Sequence, residues 1–282
     1  MKRFTNQDVA DYYDQTEVHF RIFWKLNESL GLHYGIWDKG ITTLKEAILN
    51  TNKVLMEMGE VSKEHNVLDA GCGIGGSSIY IAKHTGCHVT GITLSPKQPL
   101  TATAFAKREG IADLAQFFQK DYTNTGFDAN SFDRAWAMES METATDKTFF
   151  FKEMYRVLKP GGRLLIADWF KPYPYDIITQ PDMLMMSHGW AMSDILTIDE
   201  AKEIAAAHGF KLLKHRDVTK EVAPSVKALY KAYIWGSISS RLYNMYRKAR
   251  FFSRNHYKTC LGQYRAYKKG LWRYDLLVFE KI

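Results

Sequence analysis

The residues with the most chemistry in them are an acid and a run of glycines, Asp69-Ala70-Gly71-Cys72-Gly73-Ile74-Gly75-Gly76. Glycine has no Cβ, so the backbone can turn sharply here and approach a ligand closely. The segment reads as a buried strand running into a turn that opens a helix from Ser77 to His84. The unpaired N–H groups and positive dipole end of that helix suit an anionic group. Gly71, Gly73 and Gly76 satisfy the dinucleotide pattern G-x-G-x-x-G, which alone is a weak signal. Two features oppose a nicotinamide cofactor. Asp69 stands two residues before the first glycine, where it would repel a pyrophosphate. The next strand, His88-Val89-Thr90-Gly91-Ile92, ends in Thr93-Leu94-Ser95-Pro96, without the acid that the ribose hydroxyls require. An acid ahead of such a turn suits a ligand with a cationic ammonium and a sulfonium.

The elements that must position this loop alternate along the chain. Strands are expected near 66–70, 87–92, 115–119, 132–138 and 162–168, with helices near 77–84, 97–109 and 147–158 between them. That alternation predicts a doubly wound α/β fold with a mainly parallel sheet. Ahead of it, residues 1–60 read as helices from Asp8 to Tyr13, Glu17 to Leu30 and Thr43 to Met58. The aromatic break Gly31-Leu32-His33-Tyr34-Gly35-Ile36-Trp37 separates the last two. Gly161-Gly162 after Lys159-Pro160 reads as a helix stop and turn. Beyond Trp169 come a rigid loop (171–175), a Met-rich segment from Met183 to Met192, a helix from Asp199 to His208 and a strand from Phe210 to Asp217. Two or three basic, aromatic-rich helices follow over 220–269, then a last strand from Tyr274 to Glu280.

Four ordered segments carry a resemblance: VLDAGCGIGG, GITLSPKQ, FDRAWAMES and EMYRVLKPGGRLLIADW. Together they resemble a class I S-adenosylmethionine-dependent methyltransferase, and within that class the branch of tocopherol, sterol C-24 and prenyl or macrolide methyltransferases. The likeness spans roughly residues 60–170. It implies a Rossmann-like sheet of seven strands, the last one antiparallel. It also implies a helical N-terminal lid over 1–60, a cofactor core over 61–170, and substrate-cap insertions with the closing strands over 171–282.

The resemblance, with the rule that ligands of doubly wound sheets sit outside the carboxyl ends of the strands, assigns the candidate site. Asp69, Gly71 and Gly73 take the amino-acid part of S-adenosylmethionine. Thr93, Leu94 and Gln98 stand where this branch contacts ribose and adenine, and Asp121-Tyr122 where the family's acid faces the adenine amino group. Met138 and Glu139 end the fourth strand beside the methyl donor. Tyr13 is a further cofactor contact, and His33 or Tyr34 meets the substrate. Plainer roles stay open: a surface-turn acid for Asp121, a helix cap for Glu139 and an aromatic lid for the others. Several O-methylating relatives carry histidine near the position of Thr143, which would deprotonate a hydroxyl near neutral pH. Without it Asp168 or His33 must act, or Asp168 merely caps its loop. C-methylation is slightly favoured, with Glu139 stabilising a carbocation. Met183, Leu184, Met185, Met186, Trp190 and Met192 offer adaptable apolar surface for the acceptor, as do Tyr230, Tyr233, Trp235, Tyr243 and Tyr246, or else these residues pack as ordinary core.

Composition bounds the partners. At 282 residues one domain with a substantial insertion is expected. No apolar run reaches the ~18 residues of a transmembrane helix. Met1 to Asn6 lacks the apolar region of a signal peptide. The three cysteines form no C-x-x-C, so a reducing cytoplasm is the default, and no metal site is expected. The net charge of +7 is concentrated: Lys220 to Gly270 holds twelve Lys or Arg against one acid, and the remainder 26 basic against 30 acidic residues. That region allows a solvated face, contact with an anionic substrate or membrane surface, or nucleic acid. No appended RNA-binding module is visible, which disfavours the last. The expected partner is a small lipophilic acceptor, with cyclopropane-synthase-like lipid modification and RNA methylation as alternatives.

Overall fold

Five segments form the parallel part of the sheet, and those at its centre carry apolar residues on both faces, as strands covered by helices on either side must. The five are β1 (Asn66–Ala70), β2 (His88–Thr93), β3 (Ala115–Gln119), β4 (Phe132–Met138) and β5 (Leu158–Phe170). This is a computed structural model, and it describes residues 4–23, 30–246 and 251–282. β6 (Phe210–Asp217) and β7 (Arg273–Lys281) complete a seven-stranded sheet of order β3-β2-β1-β4-β5-β7-β6. β7 enters between β5 and β6 antiparallel to both, pairing Asp168 with Asp275 and Trp169 with Tyr274. The strand order reverses between β1 and β4, so a crevice opens outside their carboxyl ends.

The helices are α1 (Asn6–Phe23), α2 (Leu44–Met58), α3 (Gly76–Thr85), α4 (Gln98–Arg108), α5 (Lys147–Val157), α6 (Pro181–Gly189), α7 (Ile198–Ala207), α8 (Ala223–Tyr246) and α9 (Phe251–Lys268). Their starts are written locally. Thr43 with Glu46 and Thr197 with Glu200 form reciprocal capping boxes, and Asp146 accepts from Thr148 N. Apolar side chains pack on both faces of the sheet. Val67, Trp136 and Leu165 point to one face; Leu68, Ala135 and Leu164 point to the other.

Two boundaries differ from expectation. The first helix runs through Asp14-Gln15-Thr16, where a break was expected. That stretch holds no glycine or proline, and Thr16 Oγ1 bonds back to Tyr12 O at 2.8 Å. Residues 24–29 of the second expected helix lie outside the described residues. The Gly161-Gly162 turn does not precede β5 but lies inside it. The pairing with β4 shifts register between Phe132 and Arg134, so the turn is a bulge in a longer strand. Among the described residues, no helix is long and apolar enough to cross a membrane, and no group of three or more His, Cys, Asp or Glu could hold a metal ion.

Candidate active site

The crevice at the switch in strand order contains a cavity of about 1210 Å³, its open mouth included. Its floor is the loop after β1. Gly71 N and Cys72 N donate to Ile92 O at 3.0 and 2.9 Å, which bends the loop over the end of β2. Gly71 and Gly73 have φ of +106° and +53°. A Cβ on Gly73 would have Gln98 Nε2, at 3.9 Å, as its nearest neighbour and would otherwise project into open space. That bare backbone, with Gly76 and Ser77 at the start of α3 also lining the cavity, could hold a ligand carboxylate. Asp69 lines the same end and accepts from Ser78 Oγ at 2.6 Å. Burial lifts its carboxyl to about 7, against the pull of the Ser78 hydrogen bonds. A cationic ligand group would return it to the carboxylate form.

The side wall is built from β2 and the lid. Thr93 Oγ1 donates to Gln98 Oε1 at 2.6 Å, so the two side chains stand as a pair on the cavity wall beside Leu94. Tyr13 of α1 and Tyr122 after β3 line it too. The Tyr122 hydroxyl meets Ser140 O at 2.9 Å and Thr143 Oγ1 at 2.8 Å, tying β3 to the turn after β4. These groups together offer a carboxylate, bare backbone N–H groups, a polar pair and apolar walls. That set fits the ammonium, carboxylate, ribose and adenine of S-adenosylmethionine.

The opposite end is acidic and aromatic. Met138 and Glu139 line it at the carboxyl end of β4. Glu139 adopts φ +47°, a left-handed conformation costly for a residue with a Cβ. Its N–H donates to Ala167 O at 2.8 Å, and its Oε1 accepts from Tyr34 N at 2.7 Å and Tyr274 Oη at 2.8 Å. Burial raises the Glu139 carboxyl to about 8, and those two donors partly offset it. Tyr34, Trp169 and Trp190 form the aromatic wall, with ring centroids 5.3 Å apart for Tyr34–Trp169 and 5.2 Å for Trp169–Trp190.

Several expectations change in three dimensions. Asp121 does not line the cavity: its carboxylate accepts from Thr123 N and Oγ1 at 2.7 Å and from Asn6 Nδ2 at 2.6 Å. It therefore closes a surface turn and docks the start of α1. Asp168 is wholly buried behind the wall, where Oδ1 accepts from Trp169 N and Oδ2 from Glu142 N. His33 lines the cavity with both ring nitrogens engaged. Nδ1 stands 3.0 Å from Tyr34 O, which can only accept, so Nε2 is left to accept from Asn52 at 3.3 Å. Burial also lowers it to about 4, leaving a neutral ring. Of the Met-rich segment, Met183, Met186 and Met192 are core residues, and only Trp190 reaches the cavity. Tyr230 and Tyr233 stack with Tyr264 and Tyr257 between α8 and α9, while the side chains of Trp235, Tyr243 and Tyr246 lie outside those described.

Glu142, Trp169 and Leu229 are among the lining residues that the sequence did not point to. Glu142 follows Glu139 by three residues, within the single 3₁₀ turn Met141–Thr143. Its signal in the sequence is an acid just beyond the apolar end of β4, one position before Thr143.

Comparison with known proteins agrees with this architecture. The family model described as a methyltransferase domain matches residues 68–166. The methyltransferase GfsG of Streptomyces halstedii is 33% identical over 230 residues, covering 81% of this chain and 81% of that protein. The chloroplastic tocopherol O-methyltransferase of Arabidopsis thaliana is 27% identical over 303 residues, 97% of this chain and 81% of that protein. A solved geranyl diphosphate methyltransferase, in complex with GPP and sinefungin, superposes with a TM-score of 0.77 at 20% identity, covering 98% of this chain and 99% of that one. An acid-led glycine loop at the switch of a seven-stranded sheet, with a relative this similar over most of its length, makes the chain a member of the S-adenosylmethionine-dependent methyltransferases.

Proposed function

We propose that the protein transfers the methyl group to a small lipophilic acceptor of terpenoid, sterol, quinone or polyketide type, with carbon favoured over oxygen as the site of methylation. The observation that carries this reading is the wall of Tyr34, Trp169 and Trp190 beside Glu139, continuous with the cofactor cradle. When bound, S-adenosylmethionine supplies an electrophilic methyl on a sulfonium. Asp69, Gly71 and Gly73 hold the amino-acid end, and Thr93, Leu94 and Gln98 the nucleoside end. Tyr13 and Tyr122 close over it, and Met138 abuts the reacting end. Holding the acceptor collinear in a dry pocket is the main contribution of such residues.

An alkene acceptor becomes cationic as it gains a methyl. The aromatic faces attract that charge, and Glu139 ionises beside it, since an opposite charge favours the carboxylate. The names of the similar proteins, which concern tocopherol and geranyl diphosphate, support a lipophilic acceptor. The exposed Lys227, Lys231, Lys258 and Arg265 of α8 and α9 support an anionic acceptor or an anionic lipid surface as its source. The test is incubation with isotope-labelled S-adenosylmethionine and a panel of prenyl diphosphates, sterols, quinones, phospholipids and RNA. Label on a prenyl, sterol or quinone carbon is expected. Label confined to oxygen, or to phospholipid or RNA, would overturn this choice of acceptor.

A further inference from the structure

Asp168 has no direct route to an acceptor. It is fully buried, it does not line the cavity, and its two oxygens accept backbone N–H groups from Trp169 at 2.8 Å and Glu142 at 3.2 Å. Glu142 stands between it and the cavity. Glu142 lines the cavity, it is only 4% exposed, and no nitrogen or hydroxyl hydrogen bonds to its buried Oε2. The neighbour of the Glu142 carboxyl is the Asp168 carboxyl. Two buried carboxyl groups in contact cannot both be ionised, so the pair holds one proton. Burial, then the Asp168 charge and hydrogen bond, raise the Glu142 carboxyl far above the usual range, while the Glu142 hydrogen bond pulls Asp168 down against its own burial; both directions put the proton on Glu142.

The turn itself is clamped. Lys147 Nζ, 6% exposed, donates to Glu142 O at 3.0 Å and Ala144 O at 2.7 Å, and Ser193 N donates to Glu142 O at 3.2 Å. The charged and titratable groups around the pair are Tyr12 and Tyr13 of α1, Tyr122 after β3, Glu139 after β4, Lys147 of α5, Lys171 after β5, Asp194, and Tyr274 of β7. Burial lowers Lys147 to about 8, so it stays an ammonium near neutral pH and balances the one negative charge of the pair.

We propose that Glu142 is the catalytic group that takes the acceptor's proton, passing its own proton to Asp168 as it does so. The step balances. The acceptor's electron pair forms the new bond to the methyl carbon, and the carbon–sulfur pair stays on sulfur. The proton released by the acceptor, from a hydroxyl or from the carbon next to a methylated alkene, binds the cavity-facing oxygen of Glu142. The proton already on Glu142 moves to Asp168. The pair goes from one negative charge to none as the donor loses its positive charge, so no net charge is created in the dry site. Asp168 is thus a positioning residue that stores the charge and never meets the substrate. A relay of this kind performs the work of a histidine base without a ring at position 143.

This inference rests on the methyl transfer proposed above, and the test keeps the two apart. Glu142→Gln preserves shape and can still donate an N–H to Asp168, so a merely structural role survives it. The relay does not: kcat should fall by about 10²-fold or more, the usual contribution of a positioned base. S-adenosylmethionine affinity by calorimetry should be unchanged. Infrared titration of the ligand-free protein supplies the second readout. The carboxylic-acid band of the wild type at neutral pH should lose one component in Glu142→Gln, and in Asp168→Asn that component should titrate at lower pH. A Glu142→Gln kcat within about threefold of wild type would overturn the relay. So would an unchanged acid band in Glu142→Gln, or an unmoved titration in Asp168→Asn. If no acceptor in the panel is turned over, the acceptor reading fails and the infrared pair alone decides whether Glu142 shares its proton with Asp168.

Discussion

Tyr274, on the strand that closes the sheet, donates its hydroxyl to Glu139 Oε1 at 2.8 Å across 135 residues of sequence. The bond lowers the Glu139 carboxyl against the burial that raises it to about 8. Tyr274→Phe should therefore raise Glu139 further and move the alkaline-rising limb of the methyl-transfer rate to higher pH. The lost hydrogen bond should cost about 0.5–1.5 kcal/mol of stability. A pH–rate profile and urea unfolding check both; an unmoved limb would show that Glu139 does not titrate in the reaction.

Asp69 predicts how cofactor affinity depends on pH. Its carboxyl is raised to about 7, so below that pH the ligand's ammonium meets a neutral acid. S-adenosylmethionine should bind more tightly as pH rises from 6 to 8, and Asp69→Asn should bind weakly with that pH dependence abolished. The stability linkage has the matching sign. Acids raised in the fold contribute stability that is complete below their unfolded values and is lost as pH rises through about 7 for Asp69 and about 8 for Glu139. The ligand-free protein should thus lose part of its stability over that interval, and the melting-temperature gap between loaded and free protein should widen. Calorimetry and thermal melts at three pH values would measure this, and a constant gap would count against it.

The two glycines of the loop should respond differently to alanine. A Cβ on Gly71 would stand 2.4 Å from Ser140 Cβ, at φ +106°, so Gly71→Ala should lose more than the ~1–2 kcal/mol of left-handed strain alone and lower the melting temperature strongly. Gly73→Ala meets nothing closer than Gln98 Nε2 at 3.9 Å and bears only the strain term. It should fold but lose S-adenosylmethionine binding, because the methyl occupies the cradle. Equal losses of stability in the two variants would refute the placement of Gly73 at the ligand.

Trp190 separates aromatic from merely apolar contact. It lines the cavity and tilts against Trp169, with ring centroids 5.2 Å apart. Trp190→Leu keeps an apolar wall but removes a π face worth about 0.5–2 kcal/mol to a cation. Transfer to an alkene acceptor should slow by about 2–30-fold, while transfer to a hydroxyl acceptor, which develops no carbocation, should change little. Equal slowing on both acceptors would assign Trp190 to packing.

How much was legible in the chain depended on the range of the interaction. The acid-led glycine loop, the helix starts near Thr43 and Asp199, the buried strands and the closing strand were readable, because each is written in adjacent residues whose local conformation decides it. Nine of the ten expected cofactor residues line one cavity, and for all but Tyr13 of the lid the reason is local too: they stand at or just after the carboxyl ends of β1 to β4. Local rules were silent on which acids face that cavity and which carry a proton. Asp121 looked like a ligand residue until Asn6 and Thr123 claimed it, and Asp168 looked like a base until Glu142 proved to stand in front of it. Burial and contact with another carboxyl decide a proton's place, and both depend on groups brought in from distant segments, as Tyr34 and Tyr274 are brought to Glu139. The residue types and their spacing determined the cofactor loop; only the packing of lid, turn and closing strand decided the state of the acids beside it.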